Sequence, residues 1–409
     1  MVAQLGERRV RNAKVGSSIL LHSTTIPVLS KLSFTQQHEQ RALLRASVGD
    51  FVARGTDIAR VRRLRGSPEE YERRIWTQMA ELGWLGVLVP EQHGGLGLGL
   101  AEAAIIAEGL ARGLAPEPYT AAAVLAVEAV ALGDNETLKS RLLKDIASGA
   151  TIAALAWQEQ AGEESAAVKT RATPFEGGYR LQGEKRFIAG AAGADGYLVA
   201  ARTDSEQLAL LWIERDAPGV TTTLEPLADG RHYGAVALSE VTVPRENLLA
   251  SAAVAERALE HALDSARVIA GAELYGVMSK ALELTLEYLK TRVQFGKPIG
   301  SFQALQHRAT DLYIQQQLAS AALEHVLAAL VGEPDARTRA ALASRVKARC
   351  SDAALTITRA AIQLHGAIGF TDEYDAGLYL KRAMVLGAWL GGATWHRRRY
   401  ARLALEASP

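Results

Sequence analysis

From Ala255 to Thr291 the chain keeps an apolar stripe at helical spacing. Leu259, Leu263, Ala270, Leu274, Val277, Ala281, Leu284 and Tyr288 fall on or near one face. A helix of that length draws its stability from packing that face, so it needs companions of similar length. The segments Gln303–Val331, Ala336–Leu364 and Leu378–Leu405 supply three, joined by short Gly/Pro/Asp breaks. Four long helices with short connections predict a four-helix bundle over residues 250–409.

Upstream the pattern changes twice. From Phe34 to about Gly149 it is helical again. Glu39–Thr56 and Pro68–Leu82 carry apolar residues three and four apart, and Ser67-Pro68-Glu69-Glu70 reads as a helix start. Leu100–Arg112 and an Ala-rich segment from Tyr119 complete a helical unit, residues 34–150. Between Thr151 and Leu249 short strand-like runs take over at Tyr179–Gly183, 196–202, 208–214, 219–224, 235–238 and 241–243, with a hairpin turn at Gly177-Gly178. That spacing predicts a compact antiparallel barrel or sandwich, residues 151–249. The expected fold class is therefore α+β: a helical domain, an antiparallel β-barrel and a four-helix bundle.

Composition removes several function classes. A net charge of +1 gives no footprint for nucleic acid or an acidic membrane surface. One cysteine, Cys350, fits a reducing compartment and precludes an internal disulfide framework. The 9 histidines lack ligand spacing, so no metal site is expected. The most hydrophobic stretch, Tyr119–Gly133, is too short to span a bilayer and contains Glu128. Pro90-Glu91-Gln92-His93-Gly94-Gly95 and the glycines after it lack the strand and the GK[ST] of a P-loop. In residues 1–33, Arg8, Arg9, Arg11 and Lys14 with Ser17, Ser18, Ser23, Thr24 and Thr25 mimic a transit peptide. An unstructured leader on a cytoplasmic protein is the expectation, with the mitochondrial matrix as the alternative.

Chemistry gathers where the first bundle helix ends. Arg292-Val293-Gln294-Phe295-Gly296-Lys297-Pro298-Ile299, then Ser301-Phe302-Gln303-Ala304-Leu305-Gln306-His307, puts a guanidinium, an aromatic ring and amides on one helix–helix corner. Such a corner suits a large anionic cofactor with a flat ring. A plainer account has Arg292 compensating the helix dipole while Gly296 and Pro298 make the turn. The basic run His396-Arg397-Arg398-Arg399 reads as cations on a last helical turn or an intersubunit face.

The domain order and this corner resemble the acyl-CoA dehydrogenase family of flavoproteins, from about Phe34 to Leu405. Three further segments carry the likeness. One is Pro90–Gly95. Another, Leu181-Gln182-Gly183-Glu184-Lys185-Arg186-Phe187-Ile188, looks like the β-domain hallmark. The third, Gln363-Leu364-His365-Gly366-Ala367-Ile368-Gly369-Phe370-Thr371-Asp372-Glu373-Tyr374, looks like the second cofactor loop, with Ala367 for a glycine. The resemblance implies FAD bound across a subunit interface and oxidation of an acyl-CoA thioester to its 2,3-enoyl form. It implies that Arg292 grips the neighbouring subunit's FAD pyrophosphate, a planar fork meeting phosphate. It further implies that Phe295 packs the adenine end and that Gln294 and Gln303 offer amides. Gln363 and Gly366 would approach the same cofactor, and Phe187 would shield the flavin. A homo- or hetero-tetramer and electron transferring flavoprotein as acceptor come with it.

The chain departs from the family where the chemistry is done. The reaction needs a carboxylate at the α-carbon and donors on the thioester oxygen. The family's usual base positions hold Leu390, in Ala388-Trp389-Leu390-Gly391-Gly392-Ala393-Thr394, and Ala266, before Arg267. Leucine accepts no proton, although its backbone N–H remains a donor. Glu260, Asp264 and Glu273 are the nearest acids. On a helix Asp264 lies roughly 200° from Ala266, and Glu260 is more than a turn away. Trp157, Glu163 and Ala189 replace side chains that contact the flavin or the thioester tail, and Gly392 replaces the loop threonine. Each lost cofactor hydrogen bond is worth about 1 kcal/mol. No catalytic residue is therefore assigned. Residues that reach a neighbour's FAD persist while those serving the chain's own flavin are eroded. This resembles the small subunits of heteromeric dehydrogenases, including the pimeloyl-CoA type and those acting on steroid-side-chain CoA esters. A non-catalytic subunit completing a partner's site and a homomeric enzyme with a displaced base are the alternatives.

Overall fold

The computed structural model describes residues 34–55, 58–161 and 167–405. The leader expectation, Thr56 and Glu163 lie outside them. Helices come first: α1 (Phe34–Gly55), α2 (Ile58–Leu64), α3 (Arg73–Glu81) and α4 (Leu100–Arg112). A π-helical turn, Thr120–Ala126, then runs into α5 (Val127–Ala131), and α6 (Glu136–Ala147) follows. Helix α3 begins later than the expected Pro68. Glu70 adopts a left-handed backbone, φ 51°, and its side chain turns inward, which breaks the helical path at the Ser-Pro-Glu-Glu signal. In the Pro90 loop, glycine is required by packing: a Cβ on Gly95 would collide with the Val89 carbonyl.

Eight strands follow: β1 (Ala153–Ala156), β2 (Arg171–Phe175), β3 (Gly178–Ala189), β4 (Gly196–Thr203), β5 (Leu208–Glu214), β6 (Val220–Pro226), β7 (His232–Pro244) and β8 (Leu248–Ser251). They form one sheet ordered β6-β7-β3-β2-β4-β5-β8, with β1 beside β4. Most pairs are antiparallel, but β1 and β2 both run parallel to β4, which the spacing of strand-like runs does not reveal. The hairpin joining β2 to β3 turns at Glu176-Gly177, one residue before the expected pair, since Phe175 already faces Gly178. Strands β3 and β7 slip register at Leu181/Gly183 and at Lys185/Ile188. The second irregularity holds Phe187 at φ 57°.

The C-terminal part is α7 (Ala252–Thr291), α8 (Gln303–Leu330), α9 (Ala336–His365), α10 (Ala376–Ala388) and α11 (Ala393–Leu405). The apolar spacing predicts one helix over Leu378–Leu405; the chain breaks it at Trp389–Gly392. Leu390 is left-handed at φ 58° and Gly391 has φ 111°. One apolar core joins α4 to the bundle through Ile106, Leu110, Ile269, Val277, Val346 and Ile357. A second, beside it, joins α5, α6, β4, β5 and the start of α7. Among the described residues no helix is long and apolar enough to cross a membrane, and no three His, Cys, Asp or Glu could hold a metal.

Candidate functional site

The corner after α7 is a two-residue hairpin. Gln294 pairs with Lys297 and Val293 with Pro298, and the turn residues Phe295 and Gly296 have φ 53° and 77°. Two successive positive φ values define the type I′ geometry that glycine accepts readily and phenylalanine does not. The strained residue carries a ring that is 90% exposed, against which Phe302 stands edge-on at 6.1 Å. Arg292 caps α7 through its backbone, donating to Tyr288 O at 2.9 Å, and its carbonyl accepts from Ile299 at 2.8 Å. Its exposed guanidinium has no hydrogen-bond or ion-pair partner among the described residues. Gln294 and Gln303 are exposed beside it.

An aromatic stack brings the second loop to the same end of the bundle. The ring of Tyr288 lies 4.5 Å from that of His365, which lies 4.5 Å from that of Tyr374. His365 is the last residue of α9. Its Nδ1 shares a 2.7 Å hydrogen bond with Ala361 O, its Nε2 has no partner, and burial holds its pKa down. Gln363 is exposed, and Gly366 turns the chain at φ 66° with open space where a Cβ would sit. Arg292, Gln294, Phe295, Gln303, Gln363 and Gly366 thus share one outward-facing end. Phe187 stands apart on the sheet, half-buried beneath the Arg186 guanidinium and edge-on to Tyr233.

The base positions look inward. Ala266 is fully buried and Leu390 is 4% exposed, both in the apolar cluster that also holds Leu125, Leu263 and Trp157. Arg267 Nε donates to the Leu390 carbonyl at 3.3 Å, and His396 Nε2 lies 3.0 Å from it. The Leu390 N–H finds no acceptor among the described residues. Under this loop lies Lys347, fully buried, whose Nζ donates to Leu386 O, Gly387 O and Gly391 O at 2.9, 3.2 and 3.0 Å. It caps the end of α10, where the last carbonyls lack helical partners. Burial beside the cations Lys347 and Arg267 pushes the His396 pKa down to about 2.

The nearest acids are occupied. Asp264 is buried between Arg267 and Arg399, each with an Nη1 at 2.8 Å from Oδ1. Glu273 receives Arg382 at 2.8 Å and the Thr120 hydroxyl. Glu260 is 3.8 Å from Arg399 on the surface side. The expected outward cations of the last helix divide. His396 and Arg399 are buried, because they serve Leu390 and Asp264, while Arg397 reaches Asp352 on the surface. On the sheet, Lys185 is buried against Glu159 at 2.5 Å, and burial lowers its pKa to about 8. Lys347, Glu159 and the Arg399 contact of Asp264 escape sequence reasoning because their partners are backbone carbonyls or residues far along the chain.

This three-part architecture with a guanidinium-amide end is that of a flavin-dependent dehydrogenase acting on thioesters. The chain matches the family models for the acyl-CoA dehydrogenase N-terminal domain over residues 37–150, the middle domain over 153–241 and the C-terminal domain over 251–405. It belongs to the acyl-CoA dehydrogenase family, FAD-dependent oxidoreductases. Acyl-CoA dehydrogenase IpdE2 of Mycobacterium tuberculosis is 34% identical over 348 residues, covering 84% of this chain and 91% of the relative. Mitochondrial isovaleryl-CoA dehydrogenase of Solanum tuberosum is 30% identical, covering 80% of each. Among solved structures, the ChsE4-ChsE5 complex of Mycobacterium tuberculosis superposes with a TM-score of 0.81 at 28% identity, over 91% of this chain and 98% of the other. A Tcur3481-Tcur3483 steroid ACAD variant gives 0.81 at 28% identity, over 91% and 99%.

Proposed function

We propose that this chain is the base-lacking subunit of a two-chain, FAD-dependent acyl-CoA dehydrogenase that forms 2,3-enoyl-CoA. The observation that carries the reading is a contrast. Leu390 and Ala266, at the two base positions, are sealed in one apolar cluster, whereas Arg292, Phe295, Gln363 and Gly366 face outward together. The donor set fits half of a dinucleotide site: an unpaired guanidinium for the pyrophosphate, three exposed amides, an open glycine backbone and an exposed ring. The chain's own flavin side fits poorly, because Trp157 is packed into the core and Ala189 offers no hydroxyl.

FAD, when bound, would supply the hydride acceptor for the β-carbon of the thioester. In this reading Arg292 would hold the phosphates of the partner's cofactor, Gln294, Gln303 and Gln363 would orient it, and Phe295 would cover its adenine. Phe187 stays with the chain's own, eroded flavin face. The proton is taken by a carboxylate on the partner. An electron transferring flavoprotein is the acceptor this reading calls for. Exposed apolar side chains support assembly with a chain of the same fold: Phe370 is 80% exposed, and Tyr313, Ile314 and Leu318 on α8 are 52%, 47% and 52%. The similarity to the ChsE4-ChsE5 complex supports the two-chain arrangement. A displaced base within the chain is disfavoured because Asp264 and Glu273 are already engaged by arginines.

The test is purification alone and after co-expression with a relative bearing an acid at the position of Leu390 or Ala266. Flavin content and enoyl-CoA formation are measured in both. The expected result is flavin and turnover only in the assembled protein, with flavin lost on Arg292→Ala. Full flavin and turnover in the lone chain would overturn the reading.

A further inference from the structure

We propose that Arg65 and Asp372 are a positioning pair that sets the segment Gln363–Phe370 against the dinucleotide. The proposal rests on the reading above, in which that segment contacts the partner's FAD. Both act on where the segment ends.

The segment leaves α9 through Gly366 and projects outward, ending at Phe370. Its first end is fixed by the Tyr288–His365–Tyr374 stack. Its second end turns at Thr371, whose N–H and hydroxyl both donate to Ile368 O, at 3.1 and 2.8 Å. Immediately after it, Arg65 Nη1 and Nη2 each lie 2.7 Å from one oxygen of Asp372. Two parallel bonds fix orientation as well as distance, which a single ammonium cannot do. Arg62, one turn earlier on α2, donates to the Asp372 carbonyl and reaches Asp375 Oδ1 at 2.7 Å.

Arg65 is itself held at a junction of all three structural parts. The next residue, Gly66, donates to Gly230 O at 2.9 Å, in the turn between β6 and β7. Gly230 has φ 82°, and a Cβ there would collide with the Arg65 side-chain stem. The guanidinium therefore extends from a fixed base, and the pair transmits that base to the cofactor segment. The Arg65 and Arg62 cations hold the Asp372 carboxyl down to about 2, so the contact persists over the working pH range. A half-exposed ion pair contributes little to global stability. Its effect should appear in the segment's geometry and in cofactor retention.

The experiment uses the co-expressed complex carrying Arg65→Met, Arg65→Lys, Asp372→Asn or, as a reference, Arg292→Ala. FAD release is followed by its fluorescence, thermal midpoints are compared, and amide exchange over residues 366–371 is measured in the flavin-free chain. Expected are about tenfold faster release in Arg65→Met and Asp372→Asn, the scale seen when a supporting residue around a site is removed, with Arg65→Lys intermediate. Exchange over residues 366–371 should rise in the same variants while the midpoint barely moves. Unchanged release in both, with release still accelerated in Arg292→Ala, would overturn the positioning role and leave the cofactor reading standing. Unchanged release in all three would remove both. A fall in midpoint matching the loss of flavin, with exchange raised throughout the chain, would reduce the pair to a structural contact and overturn the proposal.

Discussion

The ammonium of Lys347 lies 3.0 Å from the Gly391 carbonyl and 2.9 Å from that of Leu386, so one buried charge closes the break between α10 and α11. Lys347→Met keeps the apolar volume and leaves these carbonyls unsatisfied in a sealed site. The expected loss is about 1–3 kcal/mol of stability, the scale for leaving buried carbonyls without a donor. Urea unfolding of the purified chain measures it. A loss under 1 kcal/mol would mean that water or another donor replaces the ammonium.

A glutamate placed at Leu390 should not give the lone chain turnover. Leu390 is packed with Trp157, Leu125 and Leu263, and its carbonyl is engaged by Arg267 and His396. A carboxylate introduced there loses its hydration among apolar side chains. Leu390→Glu is expected to lose at least about 2 kcal/mol and to form no enoyl-CoA in the lone chain. Turnover by that variant without a partner would show that the chain holds a complete flavin site of its own.

How much of this was legible in the sequence depends on the range of the interaction. The long helix α7 follows from its period, and the Arg292–His307 corner and the Gln363–Tyr374 loop are legible as local motifs. The break at Leu390 is not. Trp389 and Leu390 continue the apolar period of Leu378–Leu405, and the donors that hold the broken conformation come from α7, α9 and α11. Glu70 misleads for a related reason: Ser-Pro-Glu-Glu is a sound local helix start, overridden by a buried contact with β7. Strand spacing likewise cannot tell that β1 and β2 lie parallel to β4, since parallel pairing joins segments distant in the chain.

Glu70 and His396 set opposite pH dependences. Burial raises the Glu70 pKa from 4.5 to about 7, despite the nearby Arg231 guanidinium, and Oε2 has no partner. The folded state then holds a proton that the unfolded state has released, so this group's contribution falls as pH rises from 4.5 through 7. The cost is about 3 kcal/mol, at 1.4 kcal/mol per unit. His396 is lowered from 6.5 to about 2, so the unfolded state takes the proton first and stability rises with pH between 2 and 6.5. From pH 4.5 to 6.5 the two slopes oppose. Glu70→Gln should therefore steepen the rise of stability over that window and remove the fall between pH 6.5 and 8. Parallel curves for the native chain and the variant, from unfolding at a series of pH values, would show that Glu70 does not titrate there.

Stability and function should separate at Phe295. Its backbone sits at φ 53° in a type I′ turn, a conformation that asparagine adopts more easily than a phenylalanine, by about 1 kcal/mol. Because the ring is 90% exposed in the single chain, its removal forfeits little burial. Phe295→Asn is therefore expected to leave the isolated chain unchanged or slightly more stable. In the assembled protein the same change removes the ring proposed to cover the adenine, and flavin retention should fall severalfold. A strained residue kept at a cost to its own chain is what a surface contact with another molecule would select. Equal flavin retention in native and variant complexes would leave the strain without that explanation and would point to packing between subunits instead.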